Sequence, residues 1–210
     1  WSNTFGFTSY FFTLKAGYQQ YSIKLKSDLT DPFFRTEVFY SRPKHFFQLG
    51  LESTFHKIKP ESADVKIDES SSYSDLSYRS AEISAFLNDS YELSPKISIL
   101  GGLRATAYTQ LGDYSVFNAD AQGVIIDTVS YRINEPIKAY YGIEPRLSVS
   151  YKSSTLSSYK FSFSRNYQFI HLISVGTVSL PTDIWFPSTK FIKPEFSDQI
   201  TLGYFRDFHQ

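Results

Sequence analysis

The stretch from 81 to 111, AEISAFLNDSYELSPKISILGGLRATAYTQL, constrains the fold more than any other. In its first half Ile83, Ala85, Leu87, Tyr91 and Leu93 share one parity, and Glu82, Ser84, Asn88, Ser90 and Glu92 share the other. Phe86 is the exception. After a break at Ser94-Pro95, Ile97, Ile99, Leu103, Ala105, Ala107 and Leu111 oppose Ser98, Arg104, Thr106, Tyr108 and Gln110. Period two puts alternate side chains on opposite faces of a strand, so the stretch reads as a β-hairpin. Strands usually run about 5–6 residues; these arms run to roughly a dozen, enough for the about 9–11 residues of a tilted membrane-crossing strand. Long alternating arms joined by a tight turn predict an all-β chain, a transmembrane antiparallel up-and-down β-barrel.

The other segments test that expectation. Tyr10, Phe12, Leu14, Ala16 and Tyr18 share a parity, and Tyr21, Ile23 and Leu25 take the opposite one, so a turn or bulge is expected at Gln19-Gln20. Asp31-Pro32 reads as a break. Phe34, Thr36, Val38 and Tyr40 alternate with Arg35 and Glu37; Phe47, Leu49, Leu51 and Phe55 alternate with Gln48, Gly50, Glu52 and Thr54. From Ala139 to Lys152, Tyr141, Ile143, Pro145, Leu147, Val149 and Tyr151 face one way, and Glu144, Arg146, Ser148, Ser150 and Lys152 the other. Proline cannot donate to a ladder, so a bulge is expected near Glu144-Pro145. Tyr159, Phe161 and Phe163 follow, and a last strand is expected over Gln199–Phe208. The total is about nine strands.

The connections alternate in length. Short turns fall at Arg42–Lys44, Ser94-Pro95 and Ser153–Leu156. Long polar loops are expected at Lys59–Arg79, Gly112–Ile137 (with a small hairpin around Val124-Ile125-Ile126) and about Gln168–Phe196. In an up-and-down sheet this segregates short turns to one end and long loops to the other. Outer-membrane barrels have that asymmetry, with short periplasmic turns and long extracellular loops. A soluble β-sandwich, an adhesin or a carbohydrate-binding module, is the competing architecture.

Composition excludes several classes. Lys plus Arg and Asp plus Glu both number 21, so no basic face for nucleic acid is expected. Cysteine is absent, which removes disulfides and thiolate metal sites. Tyr and Phe number 16 and 20, a bias that suits strands and membrane girdles. No run of about 18 apolar residues suggests a membrane helix. The chain opens Trp1-Ser2-Asn3 without Met or a signal-peptide pattern, so a processed product or a slice of a longer chain is expected. His45, His56, His171 and His209 have no partner at ligand spacing, and neither a nucleophile elbow nor a phosphate-cradling loop occurs. No catalytic, cofactor-binding or metal site is therefore expected, and no enzymatic role.

Several runs carry a resemblance: EISAFLNDSYELSPKISILGGLR, EPRLSVSY, SFSRNYQFIHLIS and SLPTDIWFPSTKFIKPEFSDQITLGYF, with HFFQLGLESTFHKIKP matching more loosely. Together they resemble the barrel of TonB-dependent outer-membrane receptors of the Bacteroidota. The resemblance implies a segment, residues 1–210, of a closed barrel of about 22 strands in a bacterial outer membrane. It implies a plug domain in the same parent chain, the inner-membrane TonB machinery as energy source, and a surface lipoprotein or other outer-membrane subunits as further partners. The implied function is uptake of a large solute such as a siderophore, oligosaccharide, peptide or vitamin. No plug and no TonB box occur in the segment. A non-transporting barrel subunit of a larger assembly is the alternative.

Two sets of candidate residues emerge. Arg104, Glu144, Arg146 and Lys152 share the polar parity and are expected to face the lumen, either as an ion-pair ladder or in contact with a plug or solute. Asp183, Trp185 and Phe186, in LPTDIWFP, are candidates for solute recognition or for packing over the barrel mouth.

Overall fold

The computed structural model describes residues 1–18, 21–67, 70–75, 77–173 and 184–208. Among these described residues thirteen strands are present, β1 (Ser2–Tyr18), β2 (Tyr21–Ser41), β3 (His45–Ile67), β4 (Ser70–Asp75), β5 (Tyr78–Ser94), β6 (Ile97–Leu111), β7 (Ser115–Ala119), β8 (Ile125–Ser130), β9 (Pro136–Lys152), β10 (Ser157–Gln168), β11 (Ile170–Ile173), β12 (Ile184–Pro187) and β13 (Glu195–Arg206). No helix occurs among the described residues. Nine strands form one antiparallel sheet in the order β1-β2-β3-β5-β6-β9-β10-β13, with β4 paired to the far half of β3. β7–β8 and β11–β12 are separate two-stranded hairpins. The large sheet is open, with β1 and β13 at its edges, as a segment of a larger barrel is.

The hairpin of 81–111 is formed by β5 and β6, registered from Arg79↔Leu111 to Ser94↔Ile97. Its odd-numbered apolar residues lie on the outer face: Ile83, Leu87, Leu93 and Leu103 are exposed. So are Leu49, Leu51, Ile143, Leu147, Ile200 and Leu202 on neighbouring strands. The opposite face carries the charged and hydrogen-bonded side chains. The apolar band has measurable edges on β9, where Tyr141 and Tyr151 both point outward. Ten residues separate them, about 33 Å along a strand. At the usual tilt of about 40° this gives a band of about 25 Å, the height of a lipid-facing belt.

The short turns stand side by side. Glu92 N donates to Lys44 O at 2.8 Å, Lys152 N to Lys96 O at 2.8 Å, and Asp207 N to Leu156 O at 2.9 Å, so each hairpin end is bonded to the next. An aromatic row marks this end of the outer face. Tyr40 stacks with Phe47 (6.4 Å between centroids), His45 with Tyr91 (4.3 Å) and Tyr159 with Tyr151 (6.4 Å), while Tyr204 meets Tyr159 at a tilt of 39° (5.0 Å).

Three sequence expectations are corrected. The polar segment Lys59–Arg79 is not a loop along its whole length: β3 runs on to Ile67, pairs with the start of β2, and takes β4 as a further partner. In that extension Ala63, Val65 and Ile67 alternate with Ser62, Asp64 and Lys66, a short period-two run set inside a stretch rich in Ser, Asp and Glu. Asp31-Pro32 does not break β2. Pro32 sits opposite Phe7 of β1, and the ladder to β3 skips from Thr30↔Lys57 to Phe33↔Thr54 around it. At Pro145 the register with β6 runs straight through Leu103↔Pro145, without a bulge. The missing N–H is accommodated by the ladder to β10, which ends at Arg146↔Ser164, one residue short of the proline. The turn expected at Gln19-Gln20 lies outside the described residues. Within 112–137 the expected small hairpin is β7–β8, and the last strand begins at Glu195 rather than Gln199.

Leu103 lies midway between the two tyrosine levels, half-exposed on the outer face. Leu103→Arg is expected to cost about 2–4 kcal/mol of stability in a bilayer. Ser90→Arg, on the other face, should change it by less than about 1 kcal/mol. Denaturant unfolding from lipid vesicles measures both.

Candidate functional site

The inner face is organised around Arg104. The β5–β6–β9 register sets Phe86, Arg104 and Glu144 in one row, and the row above holds Ser84 and Thr106. The Arg104 guanidinium donates to Ser84 Oγ at 2.7 Å and to Glu52 Oε1 at 3.2 Å. It lies 3.6 Å from Glu82 Oε1 and 3.9 Å from Glu144 Oε2. Glu52 is shared with Arg35, at 2.5 Å. Two guanidiniums and three carboxylates thus span β2, β3, β5, β6 and β9. Charge-assisted bonds of this kind shorten and strengthen where water is scarce, and the Arg104 side chain is only 18 % exposed.

Phe86, the exception to the alternation, belongs to this site. Its ring lies on the inner face over Gly50, its cross-strand partner, where any side chain on residue 50 would occupy the ring's space. Arg35 and Arg104 approach the ring at 5.7 and 6.0 Å, within cation–π range. Beside it Gln48 donates to Glu37 at 2.8 Å and accepts from Asn88 at 3.1 Å. A hollow of about 220 Å³ opens here, lined by Arg35, Glu37, Phe86, Asn88, Arg104 and Arg146, with Gln48 at its side. Arg146 reaches it by passing over Gly102, which leaves room for the side chain's stem.

Of the residues singled out from sequence, Arg104, Glu144 and Arg146 come together on this inner face. Lys152 does not; it lies at the turn end of β9 and lines a different hollow. Asp183 is outside the described residues. Trp185 and Phe186 lie in β12, half-buried, opposite Leu172 and His171. Phe186 meets Tyr78 edge-on at 4.8 Å, and Tyr78 meets Tyr114 at 5.4 Å. Burial pushes the Tyr114 phenol above its ordinary pKa, and its hydroxyl is held by the Gln110 side chain.

The segment after β12 is clamped against the wall. Tyr108 Oη donates to Ser188 O at 2.9 Å, Tyr140 Oη donates to Thr189 O at 2.8 Å, and Lys190 N donates to Gln110 Oε1 at 2.7 Å. The Tyr108 ring stacks on Phe169 at 4.9 Å. His171 is hydrogen-bonded to Ser188 Oγ at 3.0 Å. Wall side chains therefore satisfy backbone groups that a ladder would otherwise satisfy. The paired strands β11 and β12 lie against the inner face, with β12 beside β2 and β3.

Sequence reading did not single out Glu52, Arg35, His56 or Tyr108. Glu52 and Arg35 share the polar parity of their strands, which was the available signal. His56, isolated in sequence, is buried between Asp31 (2.9 Å) and Glu82 (3.9 Å), carboxylates brought by strands on either side. Among the described residues no group of three such side chains is placed to hold a metal ion.

The model for the TonB dependent receptor-like β-barrel family matches residues 1–207. This chain belongs to that family. The receptor barrel is an outer-membrane transport protein wall, and its apolar outer face is the surface set in lipid. No curated protein and no solved structure matches the chain.

Two outcomes are expected of this wall. Arg104→Ala leaves Glu52, Glu82 and Glu144 facing one another without their shared cation and should cost about 3–5 kcal/mol, read by denaturant unfolding in vesicles. Tyr108→Phe removes one hydroxyl from the clamp and should cost about 1 kcal/mol. The same unfolding measurement reads this cost.

Proposed function

We propose that this chain forms part of the wall of a plugged receptor that takes up a solute too large for open pores, with energy delivered through TonB. The observation that supports this best is the inner face around Arg104. A water-filled pore would present separated, solvated charges. Here an ion network and a nearly buried phenyl ring face the lumen, with a hollow where three guanidiniums converge. Such a surface suits a folded body seated against it. The plug of the parent chain is that body in this reading, and its carboxylates are the complement of Arg35, Arg104 and Arg146.

In the same reading the bonded turns face the periplasm and the long connections face outward. The clamped β11–β12 hairpin narrows the outer mouth. Trp185 and Phe186 pack the hairpin in place rather than reaching for solute. The solute belongs to the siderophore, oligosaccharide, peptide or vitamin class, and its identity is set by loops and plug. A surface lipoprotein is a further partner at the outer mouth.

Planar-bilayer recording tests the reading. The purified complete receptor is expected to be electrically silent, because a plug fills it. Charge reversal of the hollow by Arg35→Glu with Arg146→Glu should unseat the plug and give steady open-channel conductance. Whole-cell solute uptake should stop when an uncoupler collapses the inner-membrane gradient. Steady conductance by the unaltered receptor, or uptake indifferent to the uncoupler, would overturn it in favour of an open or structural barrel.

A further inference from the structure

The turn half of the inner face between β9, β10 and β13 differs in chemistry from the Arg104 network. Register sets it out in four rows of three. Lys152, Ser158 and Phe205 stand nearest the turns, followed by Ser150, Lys160 and Gly203. Ser148, Ser162 and Thr201 come next, then Arg146, Ser164 and Gln199. These positions hold three cations, six hydroxyls and no carboxylate. Arg146, Lys152 and Lys160 are exposed. None of the three forms an ion pair among the described residues.

Lys152 and Lys160 are diagonal neighbours across two strands, about 7–8 Å apart at the backbone. Arg146 stands about 13 Å further from the turns, at the edge of the central hollow. The Lys160 ammonium lies 4.7 Å from the Phe205 ring, within cation–π range. At the turn end a hollow of about 210 Å³ opens onto Lys152, Ser158 and Phe205. Arg206 and Asp207 also border it; their opposite charges offset one another. Glu92 shares the row of Ser150 but belongs to β5, two strands and about 10 Å away. Glu144, next to Arg146 on the inner parity of β9, is drawn to Arg104 at 3.9 Å. Around Arg104 the wall supplies its own carboxylates, whereas along this strip it supplies none.

We infer that the strip is an anion-binding lane, and that the solute taken up carries carboxylate or phosphate groups. The passage of a solute is taken from the uptake reading; the charge of the lane follows from register alone. An uncharged solute would gain nothing from the three cations. A body seated there permanently would have to bring a carboxylate to each of them, because a buried charge without a partner is costly. Single cations spaced along about 20 Å of wall, with hydroxyls between them, suit a guest held firmly enough to enter and weakly enough to leave. The lane runs from the central hollow to the turn end, which is the exit in that reading.

The chain contains no cysteine, so one introduced thiol can report the potential of the lane. Ser158→Cys places it opposite Lys152 and two residues from Lys160. A complete receptor otherwise free of cysteine is treated at low salt with a sulfonate and with a trimethylammonium methanethiosulfonate. Each rate is divided by that of a small free thiol. The anionic reagent should be favoured about fivefold, and molar salt should abolish the preference. Lys152→Gln with Lys160→Gln should also abolish it, while the barrel keeps its heat-dependent gel mobility. Ser90→Cys, on the inner face of β5, should show no such preference. About 10 mM citrate should slow the anionic reagent about twofold relative to chloride of equal ionic strength, as a site of about 10 mM affinity does. Protection of the thiol from both reagents would mean that the plug fills the lane, and would overturn it. A preference near one, a preference unmoved by the glutamines, an equal preference at the Ser90→Cys thiol, or indifference to citrate would each do the same. Steady conductance of the unaltered receptor with the preference intact would remove the plug from the proposed function and leave the lane standing.

Discussion

In hydrocarbon a peptide group has no water to turn to, and an unpaired N–H or C=O costs several kcal/mol. Every regular feature of this chain follows from that. Long ladders satisfy the backbone along the whole span, from Arg79↔Leu111 to Ser94↔Ile97 in one hairpin alone. A ladder fixes period two, and period two gives each strand one face for lipid and one for the lumen. Where the ladder cannot be made, the structure substitutes. Pro145 has no N–H, the ladder to β10 stops beside it, and the Tyr167 N–H is met by the Glu144 carboxylate at 3.4 Å instead.

The lipid face is chemically simple, so nearly all discrimination is left to the inner face. There each strand contributes several polar residues, and register decides which of them meet. Arg104 meets Glu52, Glu82 and Glu144 only because β3, β5, β6 and β9 are aligned to the residue. A shift of one position would turn the arginine into lipid and the network would vanish. Register is thus enforced twice, by apolar residues that need lipid and by charges that need one another.

Alternation made the strands and their two faces legible in sequence. Ile83 to Leu93 and Tyr141 to Tyr151 needed no structure to be assigned to a lipid face. The extension of β3 to Ile67 was hard to read because its short alternation, Ala63, Val65 and Ile67 against Ser62, Asp64 and Lys66, is embedded in a segment rich in Ser, Asp and Glu that otherwise resembles a loop. The polar parity of Arg104, Glu144 and Arg146 was legible, but their partners were not, because Glu52 and Glu82 arrive from strands whose pairing sequence alone does not state. His56 shows the same limit: both of its carboxylates are remote in sequence. Lys152 shares the parity of Arg146 yet lies at the strand end, which parity cannot register. Phe86 looked like an error in the pattern because the reason for it, the bare backbone of Gly50, sits on another strand.

That last pair has a consequence for descent. Gly50 and Phe86 are one object divided between two strands, since the ring fills the place where a side chain at 50 would stand. Neither half can drift alone. A methyl gained at 50 evicts the ring and uncovers two guanidiniums; a ring lost at 86 leaves a glycine with nothing to cover it. A lineage can leave this arrangement only by paired substitution, and the two positions are inherited as a single character.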